Sequence, residues 1–166
     1  TRYLVIHPRG SDEKRSLKNK DLEWIISEIN KKYKDLQIVI TGSLQDAEKI
    51  EISESKNVIN LAGKLNMREL STILKNSSLY LGVDTGISHL ASFIGVKSIV
   101  FSHVATISNW LPYYNKNATI VFKVLGSEEN IYEGREFLER NCWGKVCLST
   151  PPREVLSEKV FYNLEK

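Results

Sequence analysis

From Gly82 to Val96 the sequence is G-V-D-T-G-I-S-H-L-A-S-F-I-G-V, and this stretch decides the fold. It overlaps an apolar run, Leu79 to Val83, that predicts a buried strand. Downstream, apolar side chains recur at the spacing of one helical face, at Ile87, Leu90, Ala91 and Ile94. The sequence therefore predicts a strand that passes directly into a helix.

The start of this helix is a candidate anion site. Its first backbone N–H groups lack intrahelical partners and lie at the positive end of the helix dipole, which favours a phosphate. Thr85 offers a hydroxyl, Gly86 lets a ligand approach the backbone, and His89 lies beside Thr85, opposite the apolar face. Asp84 would cap the helix or accept hydrogen bonds from ligand hydroxyls. A plain cap followed by a solvated histidine fits the same spacing, so both interpretations stay open.

Composition indicates one globular domain. The chain has 166 residues, 42% hydrophobic and 26% charged, with a net charge of +3. The small basic excess is scattered over helical segments, so a nucleic-acid partner is not indicated. No apolar stretch approaches the roughly 20 residues of a transmembrane helix. We expect a cytoplasmic protein, and the early first strand suggests a piece cut at a domain boundary.

Strands and helices alternate along the chain. Six short β-branched runs predict strands, at Tyr3 to Ile6, Gln37 to Ile40, Asn57 to Leu61, Leu79 to Val83, Ser98 to Phe101 and Thr119 to Phe122. Helical stripes lie between the first and second runs and between the third and fourth. Strands that alternate little are buried on both faces, so the pattern predicts a doubly wound, parallel α/β sheet with helices on both sides.

Five loops at the carboxyl ends of these strands should converge on one crevice, where ligands bind in such sheets. They are His7 to Lys14, Thr41 to Gln45, Ala62 to Leu65, Asp84 to His89 and Ser102 to Thr106. Each contains small or polar residues. Turn chemistry alone explains most of their glycines, so the loops taken singly do not identify a ligand.

The usual nucleotide fingerprints are missing, since neither G-x-G-x-x-G after the first strand nor G-x-x-x-x-G-K-[ST] occurs. Lys14 is a candidate for contacting a pyrophosphate, and Arg9 and Arg15 compete with it. Lys64 could also reach a ligand from its loop. Each of these cations could equally be solvated.

The two cysteines, Cys142 and Cys147, do not complete a tetrahedral metal site. The three histidines lie on distant segments, and no acidic cluster accompanies the cysteines. We therefore expect no bound metal and no cofactor. A G-x-S-x-G elbow is also absent, which disfavours a hydrolase.

Several motifs together resemble bacterial glycosyltransferase family 9, the lipopolysaccharide heptosyltransferases and their relatives. They are V-D-T-G-I-S-H-L-A, I-H-P-R-G-S-D-E-K-R, V-I-T-G-S-L-Q-D-A-E and N-L-A-G-K-L-N-M-R-E-L, with Cys142, Cys147 and Leu148 ahead of a final amphipathic segment. These motifs cover nearly the whole chain in the order typical of the family.

The resemblance implies a GT-B enzyme of two Rossmann-like domains, whose carboxyl-terminal half binds a nucleotide sugar, by family default ADP-heptose. Residues 1–166 would form that single donor-binding domain, and the amino-terminal acceptor domain would lie outside this chain. A glycan or lipid-linked acceptor, such as lipopolysaccharide, and the general base would belong to the missing domain. The enzyme would be metal-independent and would work in the cytoplasm or at the inner face of the cytoplasmic membrane, with the isolated domain inactive.

Site roles follow from the resemblance motif by motif. It implies that Asp84, Thr85, Gly86 and His89 hold the pyrophosphate and the sugar, and that Lys14 reaches the phosphates. Gly63, Lys64 and Leu65 would border the nucleobase. Ser16 and Leu17 stand where relatives often have tryptophan and proline, so the identity of the donor sugar stays open.

Two other classes of function compete with a transferase. A non-catalytic nucleotide-binding or assembly module could keep the same fold. A phosphoacceptor receiver using Asp84 would need an acidic cluster after its first strand, where this chain has His7, Pro8 and Arg9. The receiver is therefore disfavoured, whereas the module stays open.

Overall fold

The computed structural model describes residues 2–53, 55–101, 118–123, 131–133 and 164–165. At Lys14 and in the last two strands it describes the backbone alone. Within these ranges the strands are β1 (Tyr3–His7), β2 (Gln37–Ile40), β3 (Val58–Asn60), β4 (Leu79–Val83), β5 (Ser98–Phe101), β6 (Ala118–Lys123) and β7 (Ile131–Glu133). The helices are α1 (Asn19–Lys32), α2 (Leu44–Ala47), α3 (Met67–Lys75) and α4 (Gly86–Ile94), and a short 3₁₀ helix spans Glu13–Arg15.

The strands form one sheet in the order β3-β2-β1-β4-β5-β6-β7. Neighbouring strands are parallel except for the antiparallel pair β6 and β7. In the middle, Ile6 of β1 lies between Ile40 of β2 and Leu81 of β4. The strand order reverses between β1 and β4, and ligands of open α/β sheets bind outside the carboxyl ends of the strands at such a reversal. The ends of β1 and β4 therefore mark the expected place of the site.

Each face of the sheet carries its own apolar layer, because successive side chains of a strand point to opposite faces. One layer joins Leu4 and Ile6 of β1 to the buried side of α1. The other joins Val5 of the same strand to residues of α3 and α4. Helices therefore cover both faces, and the predicted doubly wound parallel sheet is confirmed.

A buried chain of hydrogen bonds fixes the turn from β4 into α4. The phenol oxygen of Tyr80 lies 3.0 Å from the Ser88 hydroxyl, which donates to the Val83 carbonyl at 2.5 Å. Because the single hydroxyl proton of Ser88 is used on Val83, Tyr80 is the donor to Ser88. The Tyr80 side chain passes over Gly82, where an added Cβ atom would stand 2.1 Å from the phenol oxygen. Glycine at position 82 is thus a packing requirement.

The six strands predicted from the sequence are present, each within one residue of its predicted ends. Three described elements were not predicted, and one of them is the short 3₁₀ helix at Glu13–Arg15. The helix α2 has only four residues and buries none of them, so it has no apolar periodicity. The strand β7 has three residues and is the antiparallel edge of the sheet.

Candidate functional site

A cleft of about 270 Å³ opens at the carboxyl edge of the sheet, where the strand order reverses. It is lined by residues that follow β1 and β2 and by the residue that precedes α4, namely His7, Arg9, Gly10, Ser11, Ser43, Gln45, Asp46, Lys49 and Thr85. Three of the five loops predicted to converge therefore meet at one cleft. The loop Ala62 to Leu65 contributes no lining residue, and Ser102 to Thr106 lies outside the described residues.

His7, the last residue of β1, is a buried residue of the cleft wall. Its side chain is 7% exposed, and its Nδ1 atom lies 3.1 Å from the hydroxyl oxygen of Thr41 at the end of β2. Burial lowers the pKa of His7 to about 4, although the nearby Asp46 carboxylate acts in the opposite direction. The imidazole is therefore neutral at physiological pH.

The β2 side of the cleft is held by a capping box at the start of α2. Ser43 donates its backbone N–H and its hydroxyl to Oδ2 of Asp46, at 2.8 and 2.6 Å. The Asp46 N–H in turn donates to the Ser43 hydroxyl at 3.2 Å. These bonds fix the Asp46 carboxylate at the cleft, where it can accept hydrogen bonds from ligand hydroxyls.

Arg9 ties together the two loops that flank this side of the cleft. Its Nη2 atom donates to Oδ1 of Asn19 at 2.8 Å and to the carbonyl of Lys49 at 2.5 Å. Asn19 also donates to that carbonyl, at 3.0 Å. The guanidinium thus fixes the spacing of the loops while keeping a positive charge at the cleft.

The third wall of the cleft is the start of α4, and Thr85 is its N-cap residue. None of the described residues accepts a hydrogen bond from the backbone N–H groups of Gly86 or Ile87 in the first turn. Gly86 is exposed, and an added Cβ atom there would meet nothing within 4 Å. The Thr85 hydroxyl makes no hydrogen bond of good geometry, although it is close enough to Tyr80 to lower the pKa of that phenol against the dominant effect of burial. The helix start is open to an anion, as its sequence suggests.

Other predicted residues are placed differently. Asp84 is buried and precedes Thr85, which occupies the N-cap position of α4 without a side-chain capping bond. His89 is half-buried one turn into α4 and does not line the cleft. Lys14 lies in the 3₁₀ helix after β1, and its side chain is outside the described part of the structure. The roles predicted for these residues stay predictions.

The predicted nucleobase border also lies away from the cleft. Gly63 has a positive φ of 71°, and an added Cβ atom there would stand 3.1 Å from the Cα atom of Leu44. Lys64 donates from Nζ to the Asn60 carbonyl at 2.8 Å, and Leu65 packs on an apolar layer of the sheet. These contacts give Gly63, Lys64 and Leu65 structural roles, and a contact with a base stays a prediction.

Several lining residues were given no site role from the sequence, namely His7, Gly10, Ser11, Ser43, Gln45, Asp46 and Lys49. Their signal was the position of their loops after β1 and β2, together with the S-x-x-D spacing of Ser43 and Asp46. Which side chains meet depends on the turns, and periodicity does not predict turns.

Chemically, the cleft suits an anion that also carries hydroxyl groups. Arg9, Lys49 and the start of α4 supply positive charge, while Asp46 and the neutral His7 supply hydrogen-bonding atoms. Within the described ranges, no group of three or more His, Cys, Asp or Glu side chains could hold a metal ion. His103, Cys142 and Cys147 lie outside those ranges.

Comparison with known families identifies the chain. Residues 2–136 match the model of glycosyltransferase family 9 (heptosyltransferase). The chain belongs to this family. A search of curated proteins gave no match.

Solved structures of glycosyltransferases share the fold at low sequence identity. The E. coli ADP-heptose LPS heptosyltransferase II has a TM-score of 0.74 and 13% identity, with 99% of this chain and 46% of that protein covered. E. coli heptosyltransferase WaaC with ADP has a TM-score of 0.61 and 17% identity, with 71% of this chain and 37% of that protein covered. The iron-containing dodecameric glycosyltransferase TibC of enterotoxigenic E. coli H10407 has a TM-score of 0.55 and 18% identity, with 76% of this chain and 32% of that protein covered.

The family 9 chain described here spans between 32% and 46% of the length of these structures. The shared part is the Rossmann-like fold predicted for one half of a GT-B glycosyltransferase. In the part of the chain that the structure describes, no helix has both the length and the apolar character needed to span a membrane.

Proposed function

We propose that this chain is the donor-binding part of a glycosyltransferase that transfers a sugar from a nucleotide sugar to a glycan acceptor. The observation that carries the proposal is the cleft at the reversal of strand order, where the open start of α4 meets polar residues after β1 and β2. Membership of family 9 supports ADP-heptose as the donor and lipopolysaccharide or a related glycan as the acceptor.

In this reaction the acceptor oxygen bonds to the anomeric carbon while the bond from that carbon to the diphosphate oxygen breaks. Negative charge builds on the departing nucleoside diphosphate. The N–H groups of Gly86 and Ile87 would stabilise that charge, assisted by Lys14 and His89. The acceptor proton would pass to a general base in a second, amino-terminal domain, so no base is assigned here.

The test is a binding panel with ADP, UDP, GDP and ADP-heptose, measured by calorimetry and by thermal shift. A ligand present at one hundred times its Kd stabilises the folded state by about 2.7 kcal/mol. We expect ADP and ADP-heptose to stabilise this chain and the others to have little effect. If none of the four binds, donor recognition by this chain is refuted.

A substitution at the helix start locates the binding site. Since a Cβ atom at Gly86 meets nothing within 4 Å, Gly86→Val should fold normally while its side chain occupies the space that the diphosphate needs. We expect ADP affinity to fall at least about tenfold in Gly86→Val and less in Gly86→Ala. An unchanged Kd in the folded valine variant would exclude the start of α4 as the diphosphate site.

The domain organisation is tested by activity. We propose that sugar transfer needs an amino-terminal domain that carries the acceptor site, so residues 1–166 alone should bind the donor without transferring the sugar. If the longer protein transfers the sugar and this chain alone does not, the result supports a two-domain glycosyltransferase. Donor binding without transfer in both proteins would favour a non-catalytic module. A location in the cytoplasm or at the inner membrane face stays a prediction.

A further inference from the structure

His7 is the most deeply buried polar side chain on the cleft wall with an uncommitted hydrogen-bonding atom. It is 7% exposed and lines the cleft, yet it belongs to none of the motif roles carried over from the family. Its Nδ1 atom faces Thr41. Its Nε2 atom has no hydrogen-bond partner among the described residues.

The hydrogen bonds around Thr41 bear on which nitrogen of the His7 ring carries the proton. The Thr41 hydroxyl lies 3.3 Å from the carbonyl of Ile6, which can only accept, and 3.1 Å from Nδ1 of His7. The hydroxyl has one proton, and when it donates that proton to Ile6 it accepts from an Nδ1–H group. In this tautomer Nε2 of the neutral imidazole carries the lone pair.

A lone pair at this place selects the kind of ligand atom that can lie beside it. Ionised phosphate oxygens are hydrogen-bond acceptors without a proton, so the lone pair of Nε2 would repel them. A hydroxyl group can instead donate a hydrogen bond to Nε2. The Asp46 carboxylate, also on the cleft wall, is a second acceptor near the ring. The hydroxyl-bearing part of a ligand therefore belongs at His7, and its anionic part belongs at the start of α4.

We propose that Nε2 of His7 accepts a hydrogen bond from a sugar hydroxyl of the bound nucleotide. This inference rests on the proposed function, because it concerns the same donor. His7 thereby distinguishes a nucleoside diphosphate from a diphosphate alone. His7 is a binding residue that contacts the donor away from the reacting bond.

Two substitutions separate the two nitrogens of His7. In His7→Asn the amide can keep the bond to Thr41 and loses the bond at the cleft, whereas in His7→Gln the longer amide reaches the Nε2 position and loses Thr41. We expect ADP affinity, measured by calorimetry, to fall about tenfold in His7→Asn and less than about threefold in His7→Gln. Affinity for inorganic pyrophosphate should be the same in all three proteins.

Deoxy nucleotides supply the matching change in the ligand. Either 2′-deoxy-ADP or 3′-deoxy-ADP should bind the native protein about tenfold more weakly than ADP. His7→Asn should not weaken the binding of that analogue further, because the hydrogen bond from the sugar hydroxyl to Nε2 is already lost. If both deoxy analogues and His7→Asn act additively, His7 does not contact the hydroxyl. If pyrophosphate binding weakens as much as ADP binding, Nε2 faces the phosphate. Either result overturns the inference.

A spectroscopic measurement needs no variant that could fail to fold. In ¹⁵N spectra of the native protein, His7 should show a protonated Nδ1 and an unprotonated Nε2 whose resonance shifts when ADP is added. A protonated Nε2 would refute the assignment. If ADP binds the native protein but His7→Asn binds it equally well, the inference fails and the proposed function stands. If no nucleotide binds the native protein, both fail.

Discussion

His7 links the stability of the fold to pH at the scale of one residue. Its pKa is about 4 in the folded chain, because burial disfavours the charged ring, against 6.5 for an exposed histidine. Below pH 6.5 the unfolded chain therefore takes up a proton that the folded chain refuses. Stability should be complete above pH 6.5 and fall by about 3 kcal/mol as the pH drops to 4.

Urea unfolding at pH 7.5, 5.5 and 4.5 measures this loss. The charged groups that share the cleft with His7 are Asp46, Arg9 and Lys49, and only Asp46 acts on the pKa of the ring. The control is His7→Gln, which does not titrate and should lose much less stability between pH 6.5 and 4. Equal acid losses in the two proteins would mean that another group causes the destabilisation.

Gly82 tests packing at the same scale. In Gly82→Ala the new methyl group would stand 2.1 Å from the Tyr80 phenol oxygen and 2.4 Å from its ring carbon Cζ. The ring is fully buried and cannot move aside, so we expect a loss of about 3 kcal/mol in urea unfolding. Gly86→Ala is the control, since its methyl group meets nothing within 4 Å and should change stability by less than about 0.5 kcal/mol. Equal stabilities would show that Tyr80 can repack.

At the scale of elements, the hydroxyl of Ser88 joins β4 to α4. In Ser88→Ala the Tyr80 phenol and the Val83 carbonyl lose the partner that they share. Leaving buried polar groups unpaired costs about 2 kcal/mol, and the start of α4 should lose its fixed position. We expect lower stability and weaker ADP binding together.

The matched control is Ser71→Ala, which removes a serine bond to the Met67 carbonyl at the exposed side of α3. It should change stability by less than about 0.5 kcal/mol and leave ADP affinity unchanged. If Ser88→Ala lowered stability without affecting ADP binding, the position of α4 would not depend on this hydrogen bond.

Elements differ in how far the sequence predicts them. The central strands are apolar on both sides, as at Val5 and Ile6, so their runs are visible without structural knowledge. The four residues of α2 are held by the Ser43–Asp46 box instead of by burial, so apolar periodicity missed them. The same reason explains which parts of the cleft could be predicted. The start of α4 is predicted by the apolar run of β4 and the apolar face of α4. That His7 and Asp46 lie close together depends on the turns after β1 and β2, which apolar patterns do not predict.

At the scale of the whole molecule, the cleft lies where the strand order reverses between β1 and β4. Strands in the middle of the sheet hold the walls of the cleft, and both apolar layers pack behind them. Arg9 donates to Asn19 at the start of α1 and to the Lys49 carbonyl after α2, and so links these two segments. The fold therefore fixes the position of the cleft, whereas loop side chains supply its polar lining.

This charge arrangement leads to a prediction about metal removal. Two cations, Arg9 and Lys49, and the partial positive charge of the α4 start face one carboxylate, Asp46, so the cleft carries net positive charge without an ion. We expect ADP to bind the EDTA-dialysed protein with a Kd within about twofold of that measured with added Mg²⁺, and more weakly as salt rises. Iron is added back in a parallel titration. A Kd that recovers only with a metal ion would show that the diphosphate charge is held by that ion and not by protein groups.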